Sequence, residues 1–226
     1  MSLFAGLDKA KVGNSNFDKA DYFVHGSYIW LLGETDVFAN RDGQLCLSAE
    51  GTVLSSQTVP VSAKCALEDN FKRDSQGAPY IIPVPVGRKV RFFWTLSRNR
   101  KDELDFRGIN DMNRLKGFLS AVLGGDVLGV TGDAITEDVA MSIMFGTSRL
   151  AQRGDTKALA DRIKKDFKMD LPEGLINLSG QVLGVESRYT EYTPKQGKNE
   201  GKLTGSTEST IRALPESEVA LWTKKA

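Results

Sequence analysis

Strand-like and helix-like periodicity occupy separate blocks of this chain, and the order of the blocks restricts the folds open to it. Strand patterns run from residue 22 to residue 96, helical periodicity fills residues 111–167, and strand patterns return over residues 176–193 and 208–214. The order is three strands, a helical insertion and two further strands. An OB-type barrel, a five-stranded, partly open sheet with helices between its third and fourth strands, has this order. We therefore expect a mainly β fold with a helical insertion, of OB type.

Turn residues and apolar spacing place the individual elements. Asp42 and Gly43 can supply the positive φ angles of a tight turn, which predicts a hairpin made of the first two strands. Residues 64–85 are polar, contain proline and show neither helical nor strand periodicity. This indicates a long connecting segment, or excursion, between the second and third strands. Helices are expected to begin near Asp111, at Thr136 and at Thr156.

The third strand, residues 88–96, alternates most clearly. One of its faces carries only apolar side chains, whereas the other places Arg91 next to Phe93. We expect Phe92 and Trp94 to lie in the core and Phe93 to lie on the outer face of the sheet.

Charge is concentrated around this strand. The whole chain has 30 Lys and Arg against 29 Asp and Glu, a net charge of +1 that favours no class of partner. Residues 88–101 contain six cations, three aromatic residues and no acid. Proteins that bind single-stranded nucleic acid need this combination, because cations follow the phosphates while exposed rings stack on the bases. An ordinary strand with a solvated basic face is the alternative. The predicted binding residues here are Arg88, Lys89, Arg91, Phe93, Arg98, Arg100 and Lys101.

A second candidate surface lies on the fourth and fifth strands. Arg188 and Tyr192 share one face of the fourth strand, and the hairpin that follows is rich in glycine and lysine. Such a hairpin could fold over a nucleic-acid strand, or it could be a solubilising loop, because two glutamates dilute its charge. The predicted binding residues on this second surface are Arg188, Tyr192, Lys195, Lys198 and Lys202.

Several segments resemble a family of bacteriophage proteins. They are residues 4–10, 87–92, 115–124, 179–186 and the hairpin 193–198. Members of that family are small replication-module proteins that are regarded as single-stranded DNA-binding proteins with an OB fold. The resemblance implies a single domain over residues 1–215 with a helical insertion at about 111–174, and a role in phage DNA replication or recombination.

The sequence departs from that family in two places. Residues 126–174 make the helical insertion longer than a simple barrel needs. The C-terminal tail, residues 216–226, is acidic only at its start, whereas many single-strand binders end in an acidic tail that recruits replication proteins. Leu221 and Trp222 would either anchor such a replication or recombination partner or pack back onto the domain.

Cofactor and metal chemistry find little support in the sequence. Cys46 and Cys65 lie outside any CxxC motif, and His25 is the only histidine, so a zinc site is poorly supported. GxSxG, GxxxxGK[ST] and GxGxxG motifs do not occur. We therefore expect no catalytic residue, metal or cofactor. The chain also has neither a long apolar run nor a signal sequence, which predicts no membrane contact and a cytoplasmic protein, in the host cytoplasm if a phage encodes it.

Two other functions remain open. Asp102, Glu103, Asp105 and Glu200 could hold Mg²⁺ in a metal-dependent nuclease. The helical block could instead form subunit contacts in a homo-oligomer or a virion component, with the stripe of Val139, Ile143 and Met144 as its interface.

Overall fold

The structure is a computed structural model that describes residues 15–17, 22–125, 135–197 and 199–223. Its strands are β1 (Ser15–Phe17), β2 (Gly26–Ala39), β3 (Leu45–Gln57), β4 (Lys72–Arg73), β5 (Pro79–Tyr80), β6 (Lys89–Leu96), β7 (Val182–Tyr192) and β8 (Thr204–Ala213). Its helices are α1 (Phe106–Val122), α2 (Glu137–Gly146), α3 (Arg149–Gln152), α4 (Thr156–Phe167) and α5 (Glu216–Thr223).

One antiparallel sheet dominates the molecule. Its strand order is β1-β8-β7-β2-β3-β6, and β4 and β5 form a separate two-stranded ribbon. Within the described ranges β6 and β8 are not paired with each other, so the sheet is open at this point. Helix α1 contacts both of these strands and lies in the opening. The predicted mainly β fold with a helical insertion is confirmed.

The predicted first hairpin is present, and its turn is built as the sequence indicates. Gly43 has a φ of 74°, and the Asn40 side-chain oxygen accepts hydrogen bonds from the backbone N–H groups of Asp42 and Gln44, each at 2.9 Å. Strands β2 and β3 pair along their whole length from this turn. In the sheet this hairpin lies between β7 and β6.

A bulge in β2 exchanges the two faces of that strand. Tyr28, Trp30 and Leu32 are buried on the core face, and regular alternation would place Phe38 there as well. The register shifts between Leu32 and Glu34, around the exposed Gly33, so that the even-numbered residues beyond it lie on the outer face. Phe38 is consequently an outer-face residue.

Aromatic rings fill the core beneath the sheet. Phe92 and Trp94 of β6 are fully buried, as predicted, and both lie close to Phe118 of α1. The ring centroids of Trp94 and Phe118 are 5.1 Å apart, as are those of Trp30 and Phe92. These contacts fix the sheet and α1 relative to each other.

Helix α1 begins about one turn earlier than predicted. Asp105 caps it, since Asp105 Oδ1 accepts a hydrogen bond from the Gly108 N–H at 2.8 Å. Further along, Asp111 Oδ2 accepts from the backbone N–H of Thr95 at 2.7 Å. Because β6 is an edge strand, this contact occupies a donor that would otherwise be unpaired.

Helices α2 and α4 add buried residues to the core. Helix α4 has the predicted bounds, and α2 follows the predicted cap at Thr136. Ile143 and Met144 of the predicted stripe are fully buried and belong to the core. Two short helices, α3 and α5, were not predicted, and α5 lies within the segment expected to be a tail. Among the described helices there is none with the length and apolar character needed to cross a membrane.

Candidate nucleic-acid interface

Two phenylalanine rings lie side by side on the outer face of the central strands. Phe93 of β6 pairs with Ser48 of β3, and Phe38 of β2 pairs with Cys46 of β3, so the rings approach each other across β3. Their centroids are 5.9 Å apart with an interplanar angle of 49°. Both phenylalanines are half-buried, whereas Cys46 and Ser48 between them are buried. We refer to Phe38 and Phe93 as the phenylalanine pair.

Two cations of β6, Lys89 and Arg91, lie next to the phenylalanine pair, and both form ion pairs with Glu50 of β3. Lys89 Nζ lies 3.0 Å from one Glu50 carboxylate oxygen, and an Arg91 guanidinium nitrogen lies 2.6 Å from the other. Burial alone would raise the pKa of Glu50, but the hydrogen bonds from Arg91 and Lys89 outweigh it and hold the pKa below its ordinary value. Glu50 is therefore ionised at neutral pH and shares its charge with both cations.

The helical insertion contributes two more arginines to the same face. Arg149 of α3 forms a two-pronged contact with Glu34 of β2, at 2.8 and 2.6 Å. Arg162 of α4 binds Asp36 Oδ1 at 2.9 Å and also donates to a β2 carbonyl. The insertion thus forms one wall of a cleft of about 420 Å³. The cleft is lined by Glu34, Thr35, Asp36, Phe38, Ser48, Glu50, Arg91, Arg149, Leu150 and Arg162.

Charge within the cleft is balanced, because each of its three arginines faces one of three carboxylates. A guanidinium group has five N–H donors, and a carboxylate on one edge leaves the opposite edge able to bind a phosphate oxygen. The carboxylates also fix the orientation of the arginines. The cleft therefore places arginine N–H donors of fixed orientation beside the aromatic rings of the phenylalanine pair.

The predicted basic loop after β6 is formed, and its cations differ in their contacts. Arg98 is half-buried, donates to the Asp102 backbone carbonyl at 2.7 Å and lies 3.8 Å from the Asp102 carboxylate. Arg100 and Lys101 are exposed and form no ion pair with any described residue, and the same is true of Arg88. Of the six predicted cations of residues 88–101, three are therefore paired and three face solvent.

The second predicted surface lies far from the phenylalanine pair. Across the sheet, Lys89 is level with Val182 at the start of β7, and β7 runs away from this level in the direction opposite to β6. Arg188 lies six residues beyond Val182 while Phe93 lies four residues the other way, a separation of about 30 Å along the strands. Tyr192 lies farther still. The structure does not bring the two predicted groups of residues together.

Side chains of the second surface are nevertheless exposed. Tyr192 is 51% exposed, and Arg188 lies 3.4 Å from Glu186 on the same strand. Lys195 and Lys202 are exposed in the hairpin, and Lys198 lies outside the described residues. Glu191, expected to dilute the charge of this hairpin, accepts hydrogen bonds from two backbone N–H groups of the excursion between β3 and β6, at 2.7 and 2.9 Å.

Three of the four acidic residues considered for a nuclease have structural contacts. Asp105 caps α1 and accepts from the Ser97 hydroxyl, whereas Asp102 and Glu103 bind Arg98 and Asn99 within their own loop. Across the part of the chain that the structure describes, no three His, Cys, Asp or Glu side chains converge on a possible metal position.

The sequence analysis did not identify six residues that shape this face: Phe38, Arg149, Arg162 and the carboxylates Glu34, Asp36 and Glu50. Phe38 lies on the outer face because of the bulge at Gly33, and the sequence signal for such a bulge is a glycine inside a strand-like segment. The two arginines reach β2 from more than 100 positions away in the sequence, and no local pattern marks such a contact.

No family model, curated protein or solved structure matches this chain.

Proposed function

We propose that this protein binds single-stranded DNA without strong sequence preference and without catalysis, through the outer face of β2, β3 and β6. The resemblance to phage replication-module proteins supports a role in phage DNA replication or recombination. The phenylalanine pair, framed by arginines on an open sheet face, is the observation that carries the proposal.

Strand connectivity supports an OB-type fold as part of this proposal. Leaving the short β1 aside, the strand order β8-β7-β2-β3-β6 numbers the long strands 5-4-1-2-3 along the chain, and α1 follows the third of them. An OB-type barrel opened between its third and fifth strands has this connectivity, with its helix in the opening. Nucleic acid binds such barrels on the face of their second and third strands, which here are β3 and β6.

Stacking favours a single strand over a duplex. The phenylalanine pair presents ring surface from a rigid sheet, and bases can reach it when no complementary strand covers them. Stacking is sequence-tolerant because every base has a π face, which accounts for weak sequence preference. The paired arginines add donors for phosphates without making the face strongly basic.

A fluorescence anisotropy titration with labelled dT and dA oligomers of about 12 nucleotides tests the proposal, since one OB fold covers about 4 to 16. Phe93→Leu keeps an apolar side chain over Ser48 but removes the flat ring. We expect it to weaken binding about 5- to 150-fold, the equivalent of about 1 to 3 kcal/mol per stacked base. Phe38→Leu should act in the same direction.

Val86→Ala is the matched control, because Val86 is 61% exposed and lies outside the cleft. Thermal unfolding of each variant verifies that the fold is retained. Wild-type affinity in a folded Phe93→Leu, Phe38→Leu double variant would contradict the proposed face, and no binding by the wild-type protein would contradict the function. Cleavage of the oligomers in Mg²⁺ that Glu200→Gln abolishes would establish the nuclease instead.

A further inference from the structure

Phe106, the first residue of α1, is exposed to an unusual degree for an aromatic side chain. Its exposed fraction is 81%, the largest among the exposed large hydrophobic residues described. Ile109, one turn further along the helix, is 48% exposed. Phenylalanine is usually buried, so a ring this open is a candidate contact for a partner molecule.

The backbone that carries this ring is firmly held. Asp105 caps the helix immediately before it, and the Asp105 N–H donates to the Ser97 carbonyl at 3.0 Å. Gly108 packs so tightly against the end of β6 that a Cβ atom there would lie 2.1 Å from the Ser97 carbonyl oxygen. The ring therefore projects from a fixed backbone, and binding to it does not require the backbone to become ordered.

Three exposed cations neighbour Phe106 in the sequence. Arg100 and Lys101 in the preceding loop, and Arg107 next to the ring, are exposed and form no ion pair in the described part of the chain. The segment also contains three acids, and each has a contact within it: Asp102 with Arg98, Glu103 with Asn99, and Asp105 with Ser97 and the Gly108 N–H. The charged groups of this segment that remain available to a ligand are therefore the three cations, which attract anions.

Contacts of Thr95 connect α1 to the outer face of the sheet. The Thr95 N–H donates to Asp111 of α1 at 2.7 Å, and Thr95 Oγ1 lies 3.7 Å from Cys46 Sγ. Cys46 lies on the outer face directly beside Phe38. The start of α1 is therefore adjacent to the end of the cleft at which the phenylalanine pair lies.

We propose that Phe106 is a third base-stacking position for the same single-stranded DNA, with Arg100, Lys101 and Arg107 contacting the flanking phosphates. This inference rests on the proposed function and extends its site beyond the sheet. A protein partner fits the surface less well, because a stable protein interface buries about 800 Å² on each side and here two apolar side chains stand among charged ones.

Phe106→Ala and Phe106→Tyr test the inference in the same anisotropy titration. Because Phe106 is exposed, neither variant should change the thermal stability appreciably. We expect Phe106→Ala to weaken binding of an oligomer of about 12 nucleotides about 5- to 150-fold, and Phe106→Tyr to restore it. The dependence of affinity on salt should stay unchanged in both, because no charge is removed. Leu221→Ala, at a side chain 62% exposed on α5, is the control and should bind as the wild type does.

The outcomes separate the inference from the function on which it rests. If wild-type protein binds and Phe93→Leu weakens binding while Phe106→Ala does not, Phe106 is not a stacking position and the proposed function stands. If wild-type protein does not bind, both fail. If Phe106→Ala leaves DNA affinity intact but abolishes self-association in light scattering, the ring is a contact between copies of the chain and the inference is wrong.

Discussion

Glu50 shows how one side chain can set the electrostatic character of a whole face. It accepts from both Lys89 and Arg91, the two cations of β6 nearest to the phenylalanine pair, and its own side chain is only 17% exposed. The lowered pKa of Glu50 means that the ion pairs stabilise the fold above the ordinary pKa of a glutamate, about 4.3, and that this contribution is lost as the pH falls through the lower folded-state pKa. Near neutral pH both Lys89 and Arg91 therefore remain ion-paired with Glu50.

Glu50→Gln is therefore expected to tighten binding of single-stranded DNA several-fold at neutral pH. The amide is neutral, so Lys89 and Arg91 regain their full charge toward phosphates. The plot of log affinity against log salt concentration should become steeper by about 0.7 for each phosphate gained, hence by up to about 1.4. Anisotropy titrations at several salt concentrations measure both quantities.

Glu186→Gln supplies the control for that substitution. Glu186 also neighbours an arginine, Arg188 at 3.4 Å, but it lies on β7 away from the cleft, so a short oligomer should bind this variant as it binds the wild type. Weaker binding by a folded Glu50→Gln protein would show that Glu50 orients the cations for the ligand, contrary to this expectation.

At the scale of elements, the close contact between α1 and the end of β6 determines where the basic loop and Phe106 lie. Gly108 is buried at this contact, and its surroundings consist largely of backbone atoms that cannot yield easily. Helix propensity alone would make alanine better than glycine here by about 1 kcal/mol. The 2.1 Å approach to the Ser97 carbonyl opposes that gain.

Gly108→Ala should consequently destabilise the protein by about 1 to 3 kcal/mol, the usual cost of inserting a methyl group into a packed contact. Urea unfolding followed by circular dichroism measures the change. Asn110→Ala is the matched control, because Asn110 is exposed on the same turn and the substitution should be neutral or slightly stabilising. Equal or greater stability of Gly108→Ala would mean that α1 can move away from β6 at little cost.

Elements with a clear local period were predictable from the sequence, and contacts set by register were not. Alternation placed Phe92 and Trp94 in the core and Phe93 outside, and the predicted bounds of α4 were correct. The position of Phe38 depends on one extra residue in β2, and a shift of one residue moves every later side chain to the other face. The early start of α1 depends on a cap at Asp105, which the spacing of apolar residues does not reveal.

At the scale of the whole molecule, the candidate binding residues form two separate groups. The first comprises Arg88 before β6, the cleft, the loop after β6 and the start of α1, whereas the second comprises Arg188, Tyr192, Lys195 and Lys202 at the far end of β7. A short oligomer can occupy one group only, since about 30 Å along the strands separates Phe93 from Arg188. Comparing short and long oligonucleotides therefore shows how many cations each group contributes to binding.

For dT of about 6 nucleotides we expect a slope of log affinity against log salt concentration of about −3. Four cations of the first group, Arg88, Arg100, Lys101 and Arg107, lack ion pairs in the described structure, and each neutralised phosphate of a single strand contributes about −0.7. A longer oligomer of about 16 nucleotides that reaches the second group should steepen the slope by about 1.4, through Lys195 and Lys202, which also lack ion pairs in the described structure. Replacing both lysines by glutamine should remove the additional slope and leave the short oligomer unaffected. A slope that stays the same for both lengths would mean that the second group takes no part in binding and that the hairpin serves solubility, because a strand that reached those cations would necessarily release further counterions.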